Sequence, residues 1–155
     1  MRQLRGIDEK HLLTLLCRDL SELSQYAQVD NRQFRFLKEW TPGAYTFILP
    51  ATREVPRRLM HPSRKTVGLR VPEAPIVQAL LAELGVPLLC ASLILPGDEN
   101  PLSDPDDIED RIGKRIDLLV DGGAGQLEAT SVIDVTGDEP VIQRVGLGPV
   151  EAMLR

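Results

Sequence analysis

Polar side chains at the ends of predicted strands are the first candidates for chemistry. Thr66 and Arg70 flank the strand TVGLR, and because side chains alternate along a strand, these two positions lie on one face. Ser92 closes the apolar strand PLLCAS, Thr130 opens another strand, and Arg144 ends the last one. Hydroxyls and arginines suit a carboxylate or phosphate, since arginine offers paired donors in a rigid fork. The spacing predicts one cleft that collects residues from several strands.

Each of these residues, considered alone, also fits an ordinary structural role that involves no ligand. Small polar residues often cap turns, and arginines often lie at solvent-exposed strand ends. The common catalytic motifs do not occur in the sequence. The sequence contains no GxxxxGK[ST], no GxSxG and no HExxH, and the glycines near Gly146 follow a strand without opening a helix. Spacing alone therefore indicates an α/β domain and no more specific function.

Charge is polarised along the chain, although the net charge is only −5. Residues 53–70 hold six basic side chains and the single acid Glu54, whereas residues 97–110 hold seven acids and no base. Nucleic-acid binding depends on clustered lysine and arginine rather than on the total charge. The basic stretch is either a solvated loop or an RNA-binding surface, for which the candidates are Arg57, Arg58, Arg64 and Lys65.

Cysteine and histidine usage predicts neither a disulfide framework nor a metal site. Cys17 and Cys90 each lie in an apolar run, where a free thiol packs as a small hydrophobic group. His11 and His61 are the remaining soft ligands, and the spacing does not match a zinc site. We expect both cysteines to be buried, reduced and unpaired.

Helices and strands that could position these residues alternate along the chain. Strands are predicted at residues 12–17, 44–51, 66–71, 87–94, 117–123, 130–135 and 139–145. Helices are predicted after the caps Asp19 and Asp30, over 75–84 before Gly85, and over 105–115. The 87–94 run is apolar enough for a strand covered on both faces. This order predicts a mixed sheet with helices on its faces.

Length and composition fit one globular domain. The chain has 155 residues, of which 43% are hydrophobic, and domains cluster near ~100–150 residues. No apolar run approaches the ~20 residues that cross a bilayer, and the first residues do not resemble a secretory leader. We expect a cytoplasmic protein with no membrane partner.

Three segments in order resemble the YrdC/YciO family. They are TPGAYTFIL, TVGLRVPEAPIVQALLAELGVPLL and SVIDVTGDEPVIQRVG, and the resemblance covers essentially the whole chain. CRDLSEL and ASLILPG look specifically like the YciO branch. The resemblance implies a YrdC-like twisted mixed sheet with flanking helices and a basic concave face. It also implies that the family's N-terminal strand and turn, with its Pro-Thr-Asp-Thr-like sequence, has no counterpart here.

The better-characterised branch of this family is an L-threonylcarbamoyladenylate synthase, which joins threonine, bicarbonate and ATP and releases pyrophosphate. Its product serves the threonylcarbamoyladenosine modification of tRNA. The resemblance therefore implies ATP as a substrate, with Mg²⁺, and threonine, bicarbonate and tRNA or double-stranded RNA as partners. Threonine's carboxylate needs a cation, and attack on the α-phosphate needs donors around the developing charge.

By resemblance, Arg70 and Ser92 hold threonine or its carbamate, and Thr130 supplies a third hydroxyl contact. Thr66 and Arg144 match nucleotide contacts. Arg2 matches the second basic residue of a Lys-x-Arg element.

Two departures affect the expected activity. Ile94 stands where the synthases have the asparagine of Ser-x-Asn, and its side chain makes no hydrogen bond. The histidine that the synthases tend to carry near Leu16 is also absent. The leading hypothesis is a YciO-like nucleotide- and RNA-binding protein related to the synthase. The alternatives are a non-catalytic RNA-binding module and an inactive truncated product.

Overall fold

A computed structural model describes residues 1–8, 10–11 and 13–154. The chain divides into two compact units. We call Glu9–Cys90 with Thr130–Arg155 the sheet unit, and Met1–Asp8 with Ala91–Ala129 the small unit. The helices are α1 Arg2–Arg5, α2 Leu20–Tyr26, α3 Asn31–Trp40, α4 Pro75–Leu84 and α5 Pro105–Ile112. The strands are β1 Thr14–Leu16, β2 Tyr45–Pro50, β3 Thr66–Arg70, β4 Leu88–Cys90, β5 Ser131–Asp134 and β6 Val141–Arg144.

The sheet unit contains one six-stranded sheet in the order β4-β1-β3-β2-β5-β6. β1 runs parallel to β3 and β2 parallel to β5, whereas the other neighbouring pairs are antiparallel. The predicted mixed sheet with flanking helices is therefore confirmed. The first predicted strand begins at Leu12, which lies outside the described residues, and β1 starts at Thr14.

Local caps define the two helices that follow β1, as the sequence predicts. The side chain of Asp19 accepts a hydrogen bond from the backbone N–H of Glu22 and starts α2. Asp30 and Gln33 form a reciprocal capping box at the start of α3, which satisfies two helix-end donors at once. Gln33 also donates to the backbone oxygen of Val135 at 2.7 Å, which ties α3 to the end of β5.

One face of the sheet, which we call the core face, packs against these helices. Leu15, Phe47, Leu69 and Ile133 come from four adjacent strands and belong to one buried cluster with Leu23 and Leu37 of the helices. The ring of Phe36 meets that of Phe47 edge to face at 6.1 Å, a geometry that aromatic pairs favour. Phe34, also on α3, is 42% exposed and does not belong to this cluster.

Two predicted strands differ from the structure. The run 87–94 forms a strand only over Leu88–Cys90, at the sheet edge and half-buried, so the prediction of a strand covered on both faces is wrong. No strand forms at 117–123, although Leu118, Leu119 and Val120 form a short apolar run. A strand requires a partner edge for its backbone groups, and among the described residues none pairs with this segment.

The small unit is held by local contacts. α5 begins at Asp104, whose side chain accepts from the backbone N–H groups of Asp106 and Asp107. Arg111 on α5 forms a bidentate ion pair with Asp98, with N–O distances of 2.9 and 3.0 Å. Over the described ranges of the chain, no helix is long and apolar enough to cross a bilayer.

Candidate functional site

The second face of the sheet, which we call the polar face, gathers hydroxyl and guanidinium groups. Strand alternation places Thr66, Gly68 and Arg70 of β3 opposite to the buried Val67 and Leu69. The register pairs Gly68 with Ile48 of β2 and with Thr14 of β1, so these residues share that face. By the same register, the polar face also holds Thr46, Val132 and Arg144.

Arg70 ends β3 and is the most unusual polar group of this face. Its side chain is part-buried, and its Nε is a buried donor without a hydrogen-bond partner. Burial lowers the pKa of its guanidinium below the usual value, and the nearby thiol of Cys90 acts in the opposite direction. Among the described residues no carboxylate forms an ion pair with Arg70. No carboxylate of the described residues therefore neutralises this guanidinium.

A second cluster lies at the same end of the sheet, where β2 and β5 begin and β6 ends. The hydroxyls of Thr46 and Thr130 are 2.8 Å apart. Arg144 donates from Nε and Nη2 to the backbone oxygen of Thr130 at 3.1 and 2.7 Å. Because Phe47 pairs with Leu69, the register extends to place Thr46 beside Arg70. Arg70, Thr130 and Arg144 therefore share one face and one end of the sheet.

Thr66 lies on the same face as Arg70 but at the other end of β3, about 13 Å away at the usual rise per residue. Its side chain is 4% exposed and its hydroxyl oxygen has no partner. Gly68 lies between them, where an added Cβ would approach Thr14 Oγ1 at 3.2 Å. Because Gly68 has no side chain, none projects from the middle of β3 on the polar face.

The remaining predicted ligand contacts lie in the small unit. Ser92 is half-buried, and its backbone oxygen accepts from the N–H of Ile94 at 2.9 Å. The backbone oxygen of Ile94 accepts from Nε of Arg5 at 3.2 Å. Arg2 lies on α1 and donates to the backbone oxygen of Asp8. Convergence of Ser92 and Arg2 with Arg70 stays a prediction.

The predicted RNA-binding residues lie in an exposed segment between β2 and β3. Arg57 and Arg58 begin a short 3-10 turn, and both are exposed. Arg64 is exposed and forms a long ion pair of 3.9 Å with Asp134. Lys65 donates to the backbone oxygen of Pro62 at 2.7 Å and has a positive φ of 55°. The segment presents several cations to solvent.

Both cysteines are free, as predicted, but only Cys17 is fully buried. Burial raises the pKa of the Cys17 thiol to about 12. Burial also raises the pKa of Cys90 to about 11, against an opposing effect of Arg70. Neither thiol is ionised near neutral pH, so neither is an activated nucleophile.

A cleft of about 550 Å³ lies elsewhere in the sheet unit, near the start of α2. Its lining includes Arg18, Phe34, Lys38, Pro42 and Gln78. None of the predicted ligand contacts lines this cleft, although Val71, which follows Arg70, does.

Comparison with known proteins decides the family. Residues 1–146 match the model of the Sua5/YciO/YrdC family, described as telomere recombination. The chain belongs to the Sua5/YciO/YrdC family. YciO of Escherichia coli is 53% identical over 152 residues, which are 98% of this chain and 74% of that protein. Its crystal structure superposes with a TM-score of 0.94 over the same shares of the two chains.

More distant members of the Sua5/YciO/YrdC family have named activities or ligands. The threonylcarbamoyl-AMP synthase of Serratia proteamaculans is 29% identical over 135 residues, which are 84% of this chain and 70% of that enzyme. The structure of Pyrococcus abyssi Sua5 complexed with L-threonine is 24% identical and covers 98% of this chain and 45% of that one, with a TM-score of 0.87. At that identity the second comparison shows the fold alone. The chain is therefore a distant relative of the synthases.

Two sets of contacts that shape the site were not predicted from the sequence. Thr46 bonds Thr130 across 84 positions of sequence, and nothing local marks that contact. Ser131 is fully buried, and its hydroxyl donates to Gly148 at 2.5 Å and accepts from Gly146 at 2.9 Å. The Gly-Leu-Gly sequence near Gly146 was a usable signal, because a glycine pair after a strand marks close backbone approach.

Proposed function

We propose that this chain binds threonine and an adenine nucleotide on the polar face of its sheet, as a relative of the threonylcarbamoyl-AMP synthases. The observation that carries the proposal is Arg70, a part-buried guanidinium whose Nε lacks a partner. A buried charged donor without a partner costs free energy. A carboxylate or phosphate oxygen placed on Arg70 removes that cost.

The groups beside Arg70 suit a ligand with an acid group and a hydroxyl. Thr46 and Thr130 share one hydrogen bond, so the pair retains one further donor and several acceptor positions for a ligand. Arg144 uses Nε and Nη2 on the backbone of Thr130, which leaves its Nη1 donors for a phosphate. Threonine supplies a carboxylate, and the nucleotide supplies the phosphates.

The separation of Thr66 from Arg70 supports an extended ligand. The two residues lie at opposite ends of β3, about 13 Å apart, so one small carboxylate does not contact both. A ligand with an amino-acid part and a nucleotide part spans such a distance. The free hydroxyl of Thr66 then serves the nucleotide end and Arg70 the carboxylate end.

The reaction that fits these groups is formation of threonylcarbamoyl-AMP from threonine, bicarbonate and ATP as its magnesium complex. The amine of threonine first combines with bicarbonate to form a carbamate, with loss of water. A carbamate oxygen then attacks the α-phosphate, the bond from the α-phosphorus to the oxygen that bridges to the β-phosphate breaks, and pyrophosphate leaves. The arginines stabilise negative charge that develops on the phosphate oxygens. The step requires no protein nucleophile, which agrees with the raised pKa of both thiols.

Calorimetric titration of the chain with L-threonine and with ATP tests this proposal. We expect Arg70→Ala to weaken threonine binding by about 1.5–3 kcal/mol, the range for a hydrogen bond to a charged group. Arg35→Ala is the matched control, because Arg35 is an exposed arginine on α3 that bonds only to its own helix backbone in the described contacts. Pyrophosphate release from ATP, threonine and bicarbonate is measured in parallel.

The outcomes separate binding from catalysis. Binding without pyrophosphate release supports a non-catalytic nucleotide-binding protein, for which Ile94→Asn is the first variant expected to restore release. Binding of neither ligand to a folded chain contradicts the proposal and favours an inactive product. Equal loss in Arg35→Ala and Arg70→Ala also contradicts it, because the effect is then not specific to the site.

A second candidate function, RNA binding, is supported by the exposed basic segment at residues 53–65. Arg53, Arg57, Arg58 and Arg64 are all exposed. Within the described part of the chain, the only ion pair that these four side chains form is the long one between Arg64 and Asp134. Exposed cations that are not neutralised by protein carboxylates attract phosphate and release counterions on binding. This surface suits tRNA or double-stranded RNA held by its backbone rather than by its sequence.

A further inference from the structure

The cleft of about 550 Å³ in the sheet unit contains none of the residues assigned to threonine or to the nucleotide. We call it the α3 cleft, and its lining includes Phe34, Lys38, Pro42, Val71, Pro72 and Glu73. The backbone N–H of Gly43 donates to the backbone oxygen of Val71 at 3.0 Å, which holds the turn after α3 against the end of β3. Gln78 of α4 donates from Nε2 to the backbone oxygen of Pro72 at 2.5 Å. The segments around the cleft are therefore bonded to one another, and its volume lies within the ~300–1,000 Å³ of small-molecule sites.

Phe34 supplies an exposed aromatic ring to the α3 cleft. Gln33 and Leu37 are the buried residues of α3, whereas Phe34 is 42% exposed and lies outside the core cluster. Single exposed apolar residues are common on protein surfaces and need no explanation. Here, however, the ring lies in a concave surface together with Pro42 and the buried Val71. An apolar concave surface of this kind suits the apolar part of a small ligand.

Two opposite charges at the α3 cleft are not neutralised within the protein. Lys38 lies four positions after Phe34, on the same face of α3, and Glu73 lies in the segment after β3. Both side chains are exposed, and within the described ranges neither forms an ion pair. Arg18 and Asp19, which also line the cleft, instead pair with each other at 3.6 Å. The cleft therefore offers a ligand one unpaired cation and one unpaired anion.

We propose that the α3 cleft binds a free α-amino acid with an aromatic or large branched apolar side chain. Lys38 contacts the carboxylate, Glu73 contacts the ammonium group, and the apolar side chain packs on Phe34. The two charges select a zwitterion, because a simple carboxylate leaves Glu73 unpaired and a simple amine leaves Lys38 unpaired. Threonine, the ligand proposed for the polar face, has a small polar side chain that gains little from an aromatic wall. The two sites therefore select different amino acids.

The probe for this site is L-phenylalanine, added to the ¹⁵N-labelled chain while the amide shifts are followed. We expect a dissociation constant of about 1 mM or lower, because a ligand of this size makes few contacts. The shifts are expected at residues 34–42 and 71–78. Three analogues each lack one group: 3-phenylpropanoate lacks the ammonium group, L-phenylalaninamide lacks the carboxylate, and L-alanine lacks the ring. Each analogue is expected to bind at least about threefold more weakly than L-phenylalanine.

Variants of the cleft test each contact separately. We expect the affinity for L-phenylalanine to fall by about threefold to tenfold in each of Phe34→Ala, Lys38→Gln and Glu73→Gln. Phe34 lies outside the core cluster and alanine favours helices, so α3 is retained in the alanine variant, as far-UV circular dichroism checks. The matched controls, Lys114→Gln and Glu83→Gln, neutralise exposed charges that do not line the cleft. They are expected to change the affinity by less than about twofold.

Glu73→Gln also tests the recognition of the ammonium group directly. In the parent chain L-phenylalanine is expected to bind more tightly than 3-phenylpropanoate, because only the amino acid carries a positive charge for Glu73. In Glu73→Gln this preference is expected to disappear, since the two partners of the contact act as a pair. The control Glu83→Gln is expected to keep the preference.

Three results overturn the proposal. The first is the absence of any amide shift with L-phenylalanine at about ten times the expected dissociation constant. The second is binding that Arg70→Ala removes and Phe34→Ala leaves unchanged, which places the amino acid on the polar face. The third is equally tight binding of 3-phenylpropanoate or of L-phenylalaninamide, which excludes recognition of a zwitterion. None of these results depends on whether the chain binds threonine or ATP.

Discussion

The guanidinium of Arg144 holds the backbone oxygen of Thr130 through two hydrogen bonds, from Nε at 3.1 Å and from Nη2 at 2.7 Å. This contact fixes the start of β5 at the same end of the sheet as Arg70. It also places the hydroxyl of Thr130 against Thr46 at 2.8 Å. The cluster thus depends on the forked shape of arginine as well as on its charge.

The variant Arg144→Lys is therefore expected to lose most of what Arg144 contributes to nucleotide binding. Lysine is a single point donor and does not reproduce the fork, so nucleotide binding is expected to fall about threefold to tenfold after allowance for solvent exposure. Threonine binding, which relies on Arg70, is expected to change less than twofold. Calorimetry with each ligand measures both. Gln143→Ala on the same strand is the control, and unchanged nucleotide affinity in Arg144→Lys contradicts the assignment.

The RNA surface is tested through salt dependence. Replacing Arg57, Arg58, Arg64 and Lys65 by glutamine removes up to four phosphate contacts, each of which adds roughly 0.7–0.9 to the slope of log affinity against log salt. We expect the slope to fall by up to about 2.8–3.6. The control replaces four exposed cations elsewhere, namely Arg35, Lys38, Lys114 and Arg115. A slope that changes only in the control places the RNA surface elsewhere.

Gly148→Ala is expected to destabilise the sheet unit. An added Cβ would lie 2.4 Å from Cε1 of Tyr45 and 2.8 Å from the backbone oxygen of Ala44. Relief requires a shift of the backbone that Ser131 holds by its hydrogen bond to Gly148. We expect a loss of about 1–3 kcal/mol in the free energy of unfolding, measured with urea. Gly137→Ala, whose nearest contact is at 3.9 Å, is expected to stay within about 0.5 kcal/mol of the parent.

Cys17 is expected to make stability fall at alkaline pH. Its pKa is raised from 9.0 to about 12 by burial, so between these values the folded chain binds more protons than the unfolded chain. The stabilisation that the raised pKa of Cys17 gives the folded chain is complete below pH 9 and is lost as the pH rises toward 12. Cys17→Ala is expected to lower stability at pH 7 but to reduce the further loss between pH 8 and pH 10.5. The same alkaline loss in both proteins would exclude Cys17 as a cause.

Thiol labelling is expected to be slow and ordered. Cys17 is fully buried and Cys90 half-buried, and burial raises the pKa of both thiols. At pH 7.5 we expect Cys90 to react first and Cys17 to react only on unfolding, as mass spectrometry of time points shows. Rapid labelling of both thiols in the native chain is the contrary result.

Local signals explain the parts of the fold that the sequence predicted. Asp19 and Asp30 start α2 and α3 because their side chains satisfy helix-end donors within three residues. Gly85 ends α4 with a φ of 67°, which glycine adopts without a steric penalty. β2 and β3 follow from runs of apolar and β-branched residues. Each of these signals acts over a few positions, so no tertiary information is needed to interpret it.

Strand pairing could not be predicted in the same way. Residues 117–123 and 87–94 both have strand-like patterns, yet the first forms no strand and the second forms three residues of an edge strand. Apolar alternation describes the faces of a strand, whereas its hydrogen bonds depend on which edge lies beside it. That neighbour is decided by the rest of the chain.

The sequence by itself determined the helix ends, the main strands and the residue types of the site, because these follow from side-chain chemistry at short range. Only the tertiary structure decided that Thr46 joins the site, since its partner Thr130 lies 84 positions away. It also decided that Nε of Arg70 is buried without a partner. Register and burial arise from contacts between distant segments, and the spacing of residues along the chain does not encode them directly.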